Sequence, residues 1–286
     1  MINKDLLKRI KLIVFDLDGT LLNDDGNIGG ETLDLIGQLN ELGVKFSFAT
    51  GRQHSAVTKY AELLGISAPI ISLDGSLIKT YPDKEVIFMS YIPEKYVARA
   101  IRLSDKYLMK ISLCHDDSIY YTEENSLIPG LLEKYGAVYQ EVEDYRDHLY
   151  QTLEIMLAGE YKDAMRHIEN KMIFPYTFGL ATSFYKSHSH PGVYYLEIRK
   201  QGSSKGFALK RLTDYMNIKI KETAVMGDWY NDKSLFETKA MKIAIANAVP
   251  EIKRLADFIT RRTNNEDGTA EFLNMVLQSK KKKYDN

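Results

Sequence analysis

The sequence predicts an α/β protein: a mainly parallel sheet with helices on both faces, interrupted by an inserted α+β domain. Three observations predict it. Short apolar runs alternate with helical segments from Leu12 to Ser72. Between about Lys84 and Arg199 the segments lengthen, become rich in tyrosine, and read as strands joined by short turns. From Lys205 onward the first pattern returns. Alternation of strand and helix favours a parallel sheet, whereas strands paired through turns favour an antiparallel one.

The elements follow in order. Leu12 to Phe15 is an apolar run bounded by charge, read as a buried strand ending at Asp16. Glu31 to Leu42 has helical periodicity and stops at Gly43. Val44 to Ala49 reads as a second strand, His54 to Leu64 as a helix stopped by Gly65, and Pro69 to Ser72 as a third strand. In the insert, Glu94 to Tyr107, Leu127 to Tyr135 and Lys162 to Asn170 read as helices. Lys110 to Leu113, Ser118 to Tyr121, Thr152 to Leu157, Leu180 to Tyr185 and Val193 to Ile198 read as strands. Then come a helix at Lys205 to Met216 and a strand at Thr223 to Met226. Short strands are expected at Lys242 to Ile245 and Phe258 to Thr260, with helices at Pro250 to Ala256 and Ala270 to Leu277. The predicted domains are a core of 1–83 and 200–286 and an insert of 84–199.

Composition narrows the function. The 286 residues carry 38 Lys and Arg against 39 Asp and Glu, so the basic excess of a nucleic-acid binder is missing. No run of about 18 apolar residues predicts a membrane span. The N-terminal segment lacks the small-residue cleavage site of a signal peptide. One cysteine, Cys114, excludes an intramolecular disulfide and fits a reducing, cytoplasmic setting. Lys280 to Lys283 reads as a solvated tail. No interface pattern predicts an oligomeric state.

The chemistry gathers at strand ends. Asp16-Leu17-Asp18-Gly19-Thr20 follows the first strand, and open α/β sheets bind ligands beyond the carboxyl ends of their strands. Two carboxylates so close repel each other unless a cation or a shared proton compensates. A hard cation with oxygen ligands, most simply Mg2+, suits them. Alone, the stretch also reads as an Asp-Gly turn. Ala49-Thr50-Gly51-Arg52 ends a strand and opens a helix, where a hydroxyl and free amides suit a phosphate oxygen; Thr is also a common N-cap. Lys205 begins a helix, where the helix dipole disfavours a cation, so it is either functional or a surface lysine. Gly227-Asp228-Trp229-Tyr230-Asn231-Asp232 again puts acids and an amide beyond a strand. The four together, in this order, are far more specific than any one.

These stretches, VFDLDGTLL, FATGR, SSKGFAL and MGDWYND, with AIANAVPEIKRLAD and NNEDGTAEFL, resemble the haloacid dehalogenase superfamily and in particular its Cof-type phosphatases. The resemblance covers about 1–80 and 197–275; over the insert it is only topological, a large cap between the second and third motifs. It implies a Rossmann-like core and an activity of hydrolase type, with Asp16 as nucleophile and Asp18 as acid and base. Thr50, Gly51, Lys205 and Asn231 are then expected around the phosphate. Asp228 is expected to bind Mg2+ with the Asp16 carboxylate and the Asp18 backbone carbonyl, supported by Asp232. Arg52 is a candidate for touching the leaving group. The implied substrate is a small phosphorylated metabolite, such as a sugar phosphate, reached under the cap.

Two positions depart from the family. Asp74-Gly75 stands where Asn-Gly is common; its extra negative charge speaks against a substrate contact, and an Asp-Gly hairpin turn accounts for it. Trp229 stands where the family usually has a small or polar residue, and is expected to pack against the cap or to narrow the mouth of the site. In the insert, His115-Asp116-Asp117 reads as an exposed turn, His188-Ser189-His190 as a polar loop, and Tyr185, Tyr194 and Tyr195 as half-buried strand residues. A phosphomutase or a non-catalytic phosphometabolite-binding module would use the same core. A receiver domain also sets Asp, Thr and Lys around Mg2+, but it has no insert of this size.

Overall fold

The computed structural model describes residues 4–122, 137–187 and 191–281. The expected helix at Leu127 to Tyr135, the His188-Ser189-His190 loop and the end of the lysine run lie outside these residues. The chain divides into two compact units. One is Met1–Gly51 with Thr58–Ile87 and Ser204–Asn286; the other is Arg52–Val57 with Phe88–Ser203.

The first unit is built on a five-stranded, all-parallel sheet. Its strands are β1 (Leu12–Phe15), β2 (Lys45–Phe48), β12 (Thr223–Gly227), β13 (Met241–Ala244) and β14 (Phe258–Ile259), in the order β14-β13-β12-β1-β2. Every residue of β1 and β12 is buried. Successive side chains alternate between faces, so both faces are covered, and this is why these strands are continuous apolar runs. Helices α1 (Lys4–Lys8), α2 (Gly30–Glu41) and α9 (Thr269–Lys281) pack together, α3 (His54–Leu63) follows β2, and α6 (Lys205–Tyr215) packs against α7 (Lys233–Phe236). Short α8 (Pro250–Leu255) starts with proline, whose missing N–H costs nothing at a first helical position.

The third strand departs from expectation. β3 (Ile70–Ser72) lies beside β2 but is not a strand of that sheet; the parallel bridge Ala49↔Ile71 links them one residue beyond β2. Its regular partner is β4 (Leu77–Lys79), antiparallel, in a small sheet completed by β5 (Val86–Met89). The turn from β3 to β4 holds Leu73, Asp74 and Gly75, all with positive φ.

In the second unit a six-stranded sheet runs β10-β11-β9-β6-β7-β8. Its strands are β6 (Lys110–Cys114), β7 (Ile119–Tyr121), β8 (Tyr139–Glu141), β9 (Glu154–Gly159), β10 (Leu180–Lys186) and β11 (Tyr194–Lys200). It is antiparallel except for β7 with β8. Helices α4 (Glu94–Lys106) and α5 (Lys162–Lys171) pack against it, burying Ile111, Leu113, Ile155, Leu157, Leu196 and Ile198. The intervening positions are polar yet buried: Arg199 is 3.0 Å from Glu154 and 3.1 Å from Glu197, and Tyr185 donates to Glu197. The three tyrosines named above are half-buried, as expected. His115 is not in an exposed turn. It is 6% exposed, with Nε2 2.9 Å from the His148 carbonyl, because its ring packs edge-on against Tyr120.

Candidate active site

Four chain segments meet beyond the carboxyl ends of β1, β2 and β12, and each local structure has a reason. After β1 the ladder extends one step, with the Asp16 N–H donating to the Met226 carbonyl at 2.9 Å. Gly19 then turns the chain at φ +79°, and a Cβ there would lie 2.5 Å from Asp228 Oδ2, so only glycine lets the two loops approach. Thr20 Oγ1 donates to Asp228 Oδ1 at 2.5 Å. Asp16 is buried, whereas Asp18 is exposed. An exposed carboxyl can exchange protons with an incoming group; a buried one is held for a single position.

After β2, Thr50 is buried and its N–H donates to the Ile71 carbonyl at 3.0 Å. Gly51 follows it. Arg52 is buried too, but by its packing it belongs to the second unit.

Lys205 is no surface lysine: it is fully buried, with Nζ 2.6 Å from Asp16 Oδ1, 2.6 Å from Asp232 Oδ1 and 3.8 Å from Asp74 Oδ1. Ser204 caps its helix by accepting the Phe207 N–H. Burial acts to lower the lysine pKa, but Asp16, Asp232 and Asp74 more than offset this and the net shift is upward. The ammonium therefore stays charged at the helix start that disfavours it.

The loop after β12 completes the cluster. Asp232 Oδ2 accepts N–H groups from Asp228 at 2.9 Å and Trp229 at 3.1 Å, so Asp232 shapes the loop while its other oxygen holds Lys205. Trp229 is half-buried and packs edge-on against Tyr230, with centroids 5.2 Å apart. Asn231 Nδ2 donates to Asp74 Oδ1 at 3.2 Å.

One carboxylate oxygen from each of Asp16, Asp228 and Asp232 lies within 4.8 Å of the other two. Burial, then Asp232, push the Asp16 carboxyl well above its usual range against the pull of Lys205. Burial, then Asp232, push Asp228 up to about 7, opposed by the Thr20 hydrogen bond. One lysine does not neutralise this cluster, and a metal cation would remove the remaining repulsion. The donors fit one: among the described residues Asp16 Oδ2 and Asp228 Oδ2 accept no hydrogen bond, whereas both Asp232 oxygens are occupied. Asp232 joins the carboxylate cluster but serves lysine and backbone. The Asp18 side chain is not part of it.

Asp74 is the residue that sequence reasoning set aside. It closes a hairpin, as an Asp-Gly pair can, but the residue is 4% exposed and lies among the residues expected around the phosphate. The one available signal was the acid standing where the family often has asparagine.

The comparisons agree with this geometry. The family model of the haloacid dehalogenase-like hydrolases matches residues 13–273. Phosphatase YwpJ of Bacillus subtilis is 29% identical over 94% of this chain and 100% of its own. The 5-amino-6-(5-phospho-D-ribitylamino)uracil phosphatase YitU of the same organism is 25% identical, over 92% of this chain and 96% of its own. A solved haloacid dehalogenase-like hydrolase from Bacteroides thetaiotaomicron superposes with a TM-score of 0.81 at 25% identity, covering 93% of this chain and 99% of that one. With sequence pattern and fold both matched along nearly the whole length, the chain belongs to the haloacid dehalogenase-like hydrolases and is a phosphatase of that superfamily.

Proposed function

We propose that this phosphatase hydrolyses small phosphorylated metabolites, sugar phosphates or similar monoesters, through an aspartyl-phosphate intermediate and with Mg2+. The observation that carries the reading is Lys205, fully buried and 2.6 Å from both Asp16 and Asp232. A phosphate monoester is anionic and repels a carboxylate nucleophile, so the site must supply positive charge where the two meet. Lys205 supplies one charge. Asp16, Asp228 and the Asp18 carbonyl would hold Mg2+, which supplies the rest by stabilising charge on the phosphoryl oxygens.

In the first step an Asp16 carboxylate oxygen attacks phosphorus and the bond to the leaving oxygen breaks. Asp18 gives that oxygen a proton, so the product leaves as a neutral alcohol. In the second step water attacks the phosphorus of the aspartyl phosphate, Asp18 takes its proton, and the bond to Asp16 breaks to release phosphate. Dividing one hard displacement into two is what a covalent nucleophile contributes. Thr50, Gly51, Lys205 and Asn231 orient the phosphoryl group. The named activity of YitU, on a phosphorylated ribityl compound, supports small monoesters as the substrate class. We assign catalysis to 1–83 and 200–286 and leaving-group selection, including any part played by Arg52, to the insert. A cytoplasmic location suits a protein whose one cysteine is a buried free thiol. Among the described residues no helix is long and apolar enough to cross a membrane.

Hydrolysis of p-nitrophenyl phosphate tests this. Turnover should require Mg2+ and vanish in Asp16→Asn. Turnover that survives either change would sink the reading, and metabolite binding without any turnover would favour a binding module instead.

A further inference from the structure

Each of the four residues expected to hold phosphate lies beside Asp74. The Asp74 N–H donates to the Thr50 carbonyl at 3.0 Å. A Cβ on Gly51 would lie 3.4 Å from Asp74 Oδ1. The same oxygen accepts the Asn231 amide at 3.2 Å and is 3.8 Å from Lys205 Nζ. The carboxyl is buried, and its backbone, at φ 47° and ψ 28°, is left-handed, a conformation that Asp and Asn adopt more readily than other side chains.

A lysine ammonium has three N–H donors. Two of those of Lys205 are taken at 2.6 Å by Asp16 and Asp232. One is left for a phosphate oxygen, and Asp74 is the carboxylate next nearest to it. Asp74 therefore does two opposed things. It fixes the Asn231 amide and the Thr50–Gly51 backbone around the phosphate, and it sets a negative charge against the anion those groups are there to receive.

We propose that Asp74 is the positioning residue of the phosphate cradle, and that it competes with phosphate for Lys205, weakening the hold on inorganic phosphate so that product leaves. This rests on the phosphatase reading and adds to it a determinant of product release. Asparagine keeps the shape, the left-handed backbone and an oxygen that can accept from Asn231, and it removes the charge. Serine removes the charge and is too short to reach Asn231.

The test is calorimetric titration of inorganic phosphate, with Mg2+ present, into the full chain and its Asp74→Asn and Asp74→Ser variants, beside p-nitrophenyl phosphate kinetics. Asp74→Asn should bind phosphate about tenfold more tightly than wild type, the scale on which a single close charge acts at a buried site. Its KM should fall while kcat does not rise, a split that loss of structure would not give. Asp74→Ser should also bind more tightly than wild type, but at least threefold less tightly than Asp74→Asn. Phosphate affinity within twofold of wild type, or weaker, in the charge-removing variants overturns the competition. Equal affinities in the two variants overturn the positioning role. Should Asp74→Asn not fold, Asp74→Ser against wild type gives the same reading on charge. If wild type neither binds phosphate nor turns over substrate, the phosphatase reading fails and takes this inference with it. If wild type does both and the variants match it, this inference alone fails.

Discussion

Lys205 and the acids around it are held by their neighbours more than by their own positions in the chain. With the ammonium fully buried between Asp16 and Asp232, its removal leaves two buried carboxylates without the cation that pairs them. Breaking a buried pair from one side costs about 3–5 kcal/mol, so Lys205→Met should lose stability on that scale in urea unfolding near neutral pH. The deficit should shrink in acid, where the stranded carboxylates take up protons; a variant as stable as wild type at neutral pH contradicts the assigned pairing. Asp18 is exposed and outside the carboxylate cluster, so Asp18→Asn should keep Mg2+ binding, read by calorimetry, while turnover falls about 100- to 10,000-fold. Full activity in that variant would overturn its acid and base role. Asp18 could be singled out from its place in a motif. Asp74 could not, because an Asp-Gly pair has the same letters in an exposed turn as in one closed over by a lysine 131 positions later.

At the scale of elements, the strands matter for where they stop. β1 and β12 lie side by side in register, Phe15 opposite Met226, so Asp16 and Asp228 emerge at nearly the same level. Gly19 lets their loops touch. The start of α6 is fixed by Ser204, whose hydroxyl accepts the Phe207 N–H at 3.3 Å and whose neighbour is Lys205. Ser204→Ala should cost about 1 kcal/mol by thermal or urea unfolding, the usual worth of an N-cap. No change in stability would mean the cap bond contributes nothing. Apolar periodicity made β1, β2, β12 and the main helices legible. β3 was legible as a strand but not as a member of a second small sheet, because its apolar residues satisfy either pairing. The polar face of the insert sheet was hidden for a related reason: Glu154 lies far from Glu197 and Arg199 in the chain, on a separate strand, and they meet only when those strands align them.

The molecule as a whole should report the charge of its site through stability. Asp228 is pushed up to about 7, so between the ordinary carboxylate range and that value the folded state binds more protons than the unfolded chain. Stability contributed by this group is therefore greatest in acid and is lost as pH rises through about 7 in the metal-free protein. Asp16, raised for the same cause, acts in the same direction. A divalent cation held by these carboxylates would replace those protons. The rise in melting temperature on adding Mg2+ should then grow from about pH 5 to about pH 8, since fewer protons have to be displaced. A shift that is the same at both ends, or absent, would separate the carboxylate cluster from metal binding.

By itself the sequence determined the α/β core, the presence of an insert, and the order in which acids, threonine and lysine follow strand ends. Apolar periodicity and motif spacing are local properties, and a linear chain carries them openly. Only the tertiary structure decided that Lys205 is buried, that Asp232 serves lysine and backbone, and that Asp74 lies beside Thr50, Gly51, Asn231 and Lys205. Burial and charge pairing depend on which distant segments meet, and that is settled when the sheet forms and the segments bearing Asp16, Thr50, Asp74, Lys205 and Asp228 are brought to one edge.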